Sequence, residues 1–219
     1  WWEGNYFLFD CGEGTQIQYR RAGLKFSRLS AIFISHLHGD HILGIMGFLM
    51  SLELAEREKP LKIYGPAGIK EYIETSKRLM CTVFNFDITI HEITEEFLLI
   101  EDGYTVRSLP LDHRVFSLGY SFTEHDRPGK FNIEKAKELG IPEGPLYGKL
   151  QKGEDITLPD GRVIKSSDIV GKPLHGRKFV YCGDTRPCEN AMKLAEYADL
   201  LIYEGTFEPD ALDKAKISG

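Results

Sequence analysis

No stretch of the 219-residue chain is apolar for long enough to cross a membrane. The greasiest runs, Ala31 to Ser35 and Asp199 to Tyr203, are strand-sized and bounded by polar residues, so a soluble protein is expected. Cysteine is scarce. Cys11, Cys81, Cys182 and Cys188 form no CxxC pair, which argues against a secreted disulfide scaffold and for a reducing cytoplasm. An initiator methionine and a basic, apolar leader are missing too; Trp1 to Asp10 reads as a hairpin strand already in progress, so the chain is expected to be a fragment. A surplus of positive charge is lacking: the formal charge of -6 speaks against general binding of phosphates, which needs concentrated Lys and Arg. There is no internal repeat.

What the chain does have is enough apolar sequence, 42% of its residues, to bury one large core. Its charge is also unevenly spread. Between Gly161 and Lys178 stand Arg162, Lys165, Lys172, Arg177 and Lys178 against the single acid Asp168, a basic segment within an acidic chain.

Tyr6 to Asp10 reads as a strand, Cys11 to Thr15 as a glycine-punctuated turn, and the residues to about Ala22 as a short amphipathic helix. Ala31 to Ser35 reads as a buried strand with His36 at its end, and Asp40 to about Glu58 as a helix with Asp40 as N-cap. Leu61 to Tyr64 is strand-like, Gly65-Pro66 is expected to turn the chain, and Ala67 to Leu79 looks helical. Phe86 to Ile93, Tyr104 to Leu109 and Ser117 to Thr123 alternate as half-buried antiparallel strands do. From Arg127 to Gly176 the pattern breaks into Lys-, Gly- and Pro-rich sequence, expected to form a long insertion or arm rather than core. Order resumes with a strand from Lys178 to Cys182, a helix from about Pro187 to Glu196, and a strand from Leu200 to Tyr203. Strands mixed with helices predict an α/β (α+β) chain, a sheet sandwich covered by helices.

The chemistry concentrates in Ser35-His-Leu-His-Gly-Asp-His41. Four potential ligands lie within six residues directly after a buried strand, and imidazole with carboxylate suits zinc or a similar first-row ion. In extended backbone His36 and His38 point the same way, and Gly39 lets the chain turn so that Asp40 and His41 face a second position. Strand ends are where further ligands would converge. His113 and Asp184 each follow a predicted strand, although a lone histidine also reads as a satisfied side chain and Asp184 as a helix N-cap. His91, His125 and His175 have no second ligand at metal spacing.

The HxHxDH loop, the later histidine and the Gly-Asp-Thr aspartate resemble the metallo-β-lactamase superfamily of two-metal hydrolases. Within it the chain is similar to the ribonuclease Z family, endonucleases that remove 3′ trailers from precursor tRNA. The resemblance rests on Phe9-Asp-Cys-Gly-Glu-Gly-Thr-Gln16, Gly23-Leu-Lys-Phe-Ser27, Ile34 to His41, Gly65-Pro66, Gly140-Ile-Pro-Glu-Gly-Pro145 and Gly183-Asp-Thr-Arg186. The HxHxDH loop alone is shared with lactamases, glyoxalases, lactonases and phosphodiesterases.

The resemblance implies a four-layer αββα sandwich, a single metallo-β-lactamase domain over residues 1–219 that is incomplete at both ends, with residues 127–176 inserted as a tRNA-binding arm. It implies two zinc ions, one held by His36, His38 and His113, the other by Asp40 and His41, with Asp184 as bridge and Asp40 as catalytic proton acceptor. It also implies a homodimer in which the arm of one subunit serves the other. Two departures stand out. The family's first strand pair and basic loop are not in the chain, and neither are the His-Ser-Thr motif and final histidine ligand that follow the stretch Glu204-Gly-Thr-Phe207, so weak binding of the second ion is expected. Two rivals remain open at this point: a hydrolase of another ester, phosphodiesterase or arylsulfatase-like, and a catalytically silent tRNA-binding fragment.

Overall fold

A computed structural model describes residues 1–205. Thr206 and Phe207, at the end of the Glu204-Gly-Thr-Phe207 stretch, lie outside the described residues. Short β-branched and aromatic runs become strands β1 (Tyr6–Phe9), β2 (Leu29–Phe33), β3 (Leu61–Pro66) and β4 (Ile88–Ile93). Between them run the helices α1 (Thr15–Arg21), α2 (Gly39–Ile42), α3 (Ile45–Leu54) and α4 (Ile69–Leu79). Then follow β5 (Phe97–Glu101), β6 (Tyr104–Leu111) and β7 (Ser117–Glu124). The next elements are α5 (Ile133–Glu138), α6 (Pro145–Gln151), β8 (Ile156–Thr157), β9 (Val163–Ile164) and α7 (Ser166–Ile169). The described chain closes with β10 (Lys178–Tyr181), α8 (Glu189–Ala195) and β11 (Leu200–Ile202).

The chain divides into two units, one of Trp1–Leu99, Val106–Phe122 and the residues from Lys178 on, the other of Ile100–Thr105 and Thr123–Arg177. The first unit carries the sheet β1-β2-β3-β4, parallel throughout, with Phe9 opposite Phe33 and Phe33 opposite Tyr64. The second sheet has the order β11-β10-β7-β6-β5, with β10 and β11 parallel. Aromatic rings join the two sheets: Phe9 lies 5.1 Å from Phe179 and Phe33 lies 5.4 Å from Tyr120, ring centre to ring centre. On the outer side of the first sheet, Ile32, Ile34 and Ile63 pack with Phe48, Leu49 and Ile73 of α3 and α4. On the outer side of the second, Leu109 and Val180 pack with Ala191 and Leu194 of α8. This is the expected helix, sheet, sheet, helix order.

Four local expectations differ from the structure. Residues 88–93 pair parallel to β3, not antiparallel to a neighbour, and their alternation arises because β4 is an edge strand with one face open. β7 is buried on nearly all positions, because its small residues are covered by α8: a Cβ on Gly119 would come 2.6 Å from Leu194. Gly65 and Pro66 continue β3 rather than turning the chain. The helix expected from Asp40 breaks at Leu43 and Gly44 into α2 and α3, with His38 rather than Asp40 at the cap position.

In the second unit, the stretch read as arm rather than core has a core of its own, formed by Ala136, Ile141, Leu150, Ile156, Ile164 and Ile169. These side chains come from elements too short to show a period, so the sequence reads as irregular. The two strands of chain that lead into it form a tight ribbon, bridged at Arg127 with Leu174 and at Phe131 with Val170. Only glycine allows that approach, since a Cβ on Gly176 would lie 1.8 Å from the Glu124 carbonyl oxygen. Arg177 donates to the buried Glu124 carboxylate at 3.0 Å, and this bond holds the carboxyl below its usual range.

Candidate metal centre

β2 ends at Phe33, and the following residues run extended through His36 and His38 before α2 begins at Gly39. His36 is fully buried, while Asp40 and His41 stand in the first turn of α2. This loop is seated against the turn after β1. The Cys11 amide donates to the His41 carbonyl at 2.8 Å, and the Gly44 amide to the Cys11 carbonyl at 2.9 Å. Contact there is close enough that a Cβ on Gly12 would meet the Asp40 carbonyl oxygen at 2.0 Å.

At the base of the site is a residue that sequence reasoning quoted without assigning a role, Asp10. It sits at φ +58° and is nearly buried, and its carboxylate accepts four hydrogen bonds. The donors are the Ser35 amide at 2.6 Å, the Ser35 hydroxyl at 2.7 Å, His41 Nδ1 at 2.6 Å and the Tyr181 hydroxyl at 2.6 Å. Two tautomers follow from this. His41 spends its Nδ1 proton on Asp10, which leaves Nε2 as a lone-pair donor. Because the Ser35 hydroxyl proton also goes to Asp10, the hydroxyl oxygen accepts from His36 Nδ1 at 3.0 Å, and His36 Nε2 is freed in turn. The sequence signal for Asp10 is its position, directly after a strand like Asp184 and His113, in a turn with two glycines.

The freed nitrogens converge. His36 Nε2 lies 3.0 Å from His38 Nδ1, and His113 Nε2 lies 3.3 Å from the same atom. His41 Nε2 is 3.3 Å from Asp184 Oδ1 and 3.4 Å from Asp40 Oδ2, and His36 Nε2 is 4.0 Å from Asp184 Oδ2. Two groups of donor atoms result, His36 with His38 and His113, and His36 with His41 and Asp184, the atoms of each within 4.8 Å of one another. The Asp184 loop reaches in through Gly183, at φ +50°, where a Cβ would come 3.0 Å from the Ser35 side chain. Asp184 is therefore no helix N-cap; α8 begins later, capped at Cys188. His91 stacks on Tyr64, His125 bonds Thr105 and His175 bonds Asp126, so none of these three joins the cluster.

These residues fit a divalent cation. Nitrogens each about 2.0–2.1 Å from a tetrahedral zinc stand roughly 3.3 Å apart, and that is the spacing around His38. Imidazole nitrogens facing one another without an anion between them repel unless a cation lies among them. Burial, and then the neighbouring His41, push His36 down to about 3, so it is the neutral, coordinating form at pH 7. Burial also lowers His41, but its hydrogen bond to Asp10 and the carboxylates around it outweigh that and leave it raised. His113 Nδ1 is buried without a hydrogen-bond partner.

Two facing sheets backed by helices, with a histidine and aspartate cluster at strand ends, define a metallo-β-lactamase fold with the side chains for metal binding. Solved structures agree. Human tRNase Z, short form, superposes over 99% of this chain and 73% of its own at a TM-score of 0.70 and 30% identity. A metallo-β-lactamase fold protein from Bacillus subtilis superposes at 0.56 over 94% of this chain and 61% of its own, at 18% identity, which bears on fold alone. Ribonuclease Z of Methanothermobacter thermautotrophicus is 48% identical over 216 residues, 99% of this chain and 70% of the relative. Ribonuclease Z of Trichodesmium erythraeum is 50% identical over 201 residues, 92% of this chain and 63% of the relative. The chain belongs to the ribonuclease Z family. It spans 63% of the length of the Trichodesmium relative. The family model of the Anti-Pycsar protein Apyc1 also matches, over residues 2–107, and so stops short of His113 and Asp184.

Proposed function

We propose that this chain carries the core of a zinc-dependent endoribonuclease that removes 3′ trailers from precursor tRNA. The convergence of the HxHxDH donors with His113 and Asp184, in a member of the ribonuclease Z family, is the observation that supports it most. His36, His38 and His113 would hold one ion, Asp40 and His41 the other, with Asp184 shared. When bound, a pair of zinc ions supplies Lewis acidity at the phosphodiester and makes water a stronger nucleophile at neutral pH. Asp40, its side chain 76% exposed and 3.4 Å from His41, would orient that water and take its proton. Asp10 acts through His41 and Ser35, keeping both imidazoles in the coordinating tautomer. Attack by water rather than by the ribose 2′-hydroxyl leaves a 3′-hydroxyl on the tRNA.

The second unit would grip the tRNA body by shape and phosphate. Its open groove, about 1040 Å³, is lined by Arg127, Lys152, Lys165 and Lys172. The groove's acids are already engaged: Asp126 accepts from the Gly176 amide and Asp155 from the Ser166 amide. Among the described residues none of the four cations has a side-chain hydrogen bond or ion pair, the Arg127 charge acting only at longer range on Glu124, and they remain available to phosphate. The net charge of -6 is thus compatible with an RNA partner, because the basic residues are gathered.

The homodimer belongs to the same reading. Met50 and Leu54, four residues apart on one face of α3, are exposed, an apolar face for a second copy. A cytoplasmic location belongs to it as well, supported by cysteines without CxxC pairs. No helix of the described residues is long and apolar enough to cross a membrane. The test is cleavage by the zinc-loaded protein of a precursor tRNA beside bis(4-nitrophenyl) phosphate. A tRNA ending in a 3′-hydroxyl is the expected product; turnover of the small ester alone would refute the substrate.

A further inference from the structure

The loop between β6 and β7 carries His113, and its remaining residues have no part in the site described so far. It is fastened at both ends to the loop that carries Asp184. The Arg186 amide donates to the Asp112 carbonyl at 2.8 Å, and the Ser117 hydroxyl donates to the Asp184 carbonyl at 3.2 Å. Between these fastenings His113 turns inward, while Arg114, Val115 and Phe116 are exposed, Phe116 by 43%. Among the described residues Arg114 has no hydrogen bond, ion pair or ring contact. Arg114 directly follows His113, whose Nε2 lies 3.3 Å from His38 Nδ1, so the loop carries the guanidinium at the margin of the donor cluster. A solvated surface arginine and an exposed ring two residues on, in a loop pinned against the metal donors, combine a phosphate donor with a stacking face.

We propose that Arg114 and Phe116 form a nucleotide subsite beside the donor cluster, Arg114 holding a phosphate oxygen of single-stranded RNA next to the cut and Phe116 stacking on its base. The inference rests on the endoribonuclease reading and adds to it the element that recognises an unpaired nucleotide at the cut. Arg114 is suited to this because a guanidinium offers a planar pair of donors to phosphate, and an extended RNA end exposes both groups at once.

The experiment is binding of a fluorescent single-stranded pentaribonucleotide to the zinc-loaded protein across a salt series, for the parent chain and for Arg114→Ala, Arg114→Lys, Phe116→Ala and Phe116→Tyr. Zinc content and circular dichroism serve as folding controls, and Arg114→Lys decides the matter should Arg114→Ala not fold. Expected for Arg114→Ala is about a tenfold loss of affinity, with the slope of log K against log salt reduced by about 0.7, the value for one phosphate contact on a single strand. Arg114→Lys keeps the slope and loses part of the affinity. Phe116→Ala loses about tenfold with the slope unchanged, and Phe116→Tyr restores it. An unchanged slope in Arg114→Ala, or a parent chain that does not bind the oligonucleotide, overturns the subsite. If precursor tRNA is still cleaved in that event, the endoribonuclease reading stands without it. Failure of the parent to cut tRNA while hydrolysing the small ester removes that reading, and the oligonucleotide series still decides Arg114.

Discussion

In the donor cluster, His36 and His41 are tied down by a chain of hydrogen bonds, whereas in the groove of the second unit the cations are left without side-chain hydrogen bonds or ion pairs. Asp10 alone takes up the Ser35 amide and hydroxyl, the His41 imidazole and the Tyr181 hydroxyl. Arg127, Lys152, Lys165 and Lys172 share one groove with no side-chain bond among the described residues. The contrast teaches what each job demands. A metal site needs lone pairs fixed in direction, which burial and hydrogen bonds provide. A surface for a phosphate backbone needs charges that are free to exchange counterions for RNA.

The sharpest way to break the comparison is to strike one side and look for an effect on the other. Asp40→Ala is expected to lower tRNA cleavage on the order of 10³-fold with tRNA affinity nearly intact, as read by single-turnover cleavage and filter binding. Deleting residues 127–176 should do the reverse, weakening tRNA binding about 100-fold while hydrolysis of bis(4-nitrophenyl) phosphate persists. Should tRNA affinity survive the deletion, the second unit has been misread. Asp10→Asn should weaken zinc binding by about tenfold to a hundredfold in a competitive chelator titration, because an amide cannot serve the same set of donors; unchanged zinc affinity would separate Asp10 from the site.

The smallest expected effect concerns the ribbon at the base of the second unit. Glu124 has its carboxyl lowered by Arg177, so its contribution is present above the unfolded value and is lost as pH falls through the lower, folded value. Glu124→Gln should therefore cost under about 1 kcal/mol at pH 7, since Arg177 is largely solvated, and the gap to the parent should close on acidification. Urea unfolding at pH 7 and at pH 3 measures both.

The side chains that come together, His36, His38, His41, His113 and Asp184, could be picked out in the sequence because three crowd into one loop and two follow strands, whereas Asp40 belongs to neither group of converging donor atoms. The parallel pairing of β4 was not legible: an edge strand of a parallel sheet and a half-buried antiparallel strand alternate alike. The core of the second unit was hidden for another reason, since Ile141, Ile156 and Ile169 sit singly in short elements and come together only in three dimensions. Asp10 was hidden because a lone aspartate in a glycine turn has the same local pattern whether it caps a turn or orients a ligand; only its four donors reveal the difference.

The most direct measurement is an anomalous-scattering map from crystals of the zinc-loaded protein. The account predicts one peak within bonding distance of His36, His38 and His113 and a second beside His41 and Asp184. A map with zinc elsewhere, or with His113 and Asp184 turned away from it, would contradict the metal centre and the nuclease reading built on it.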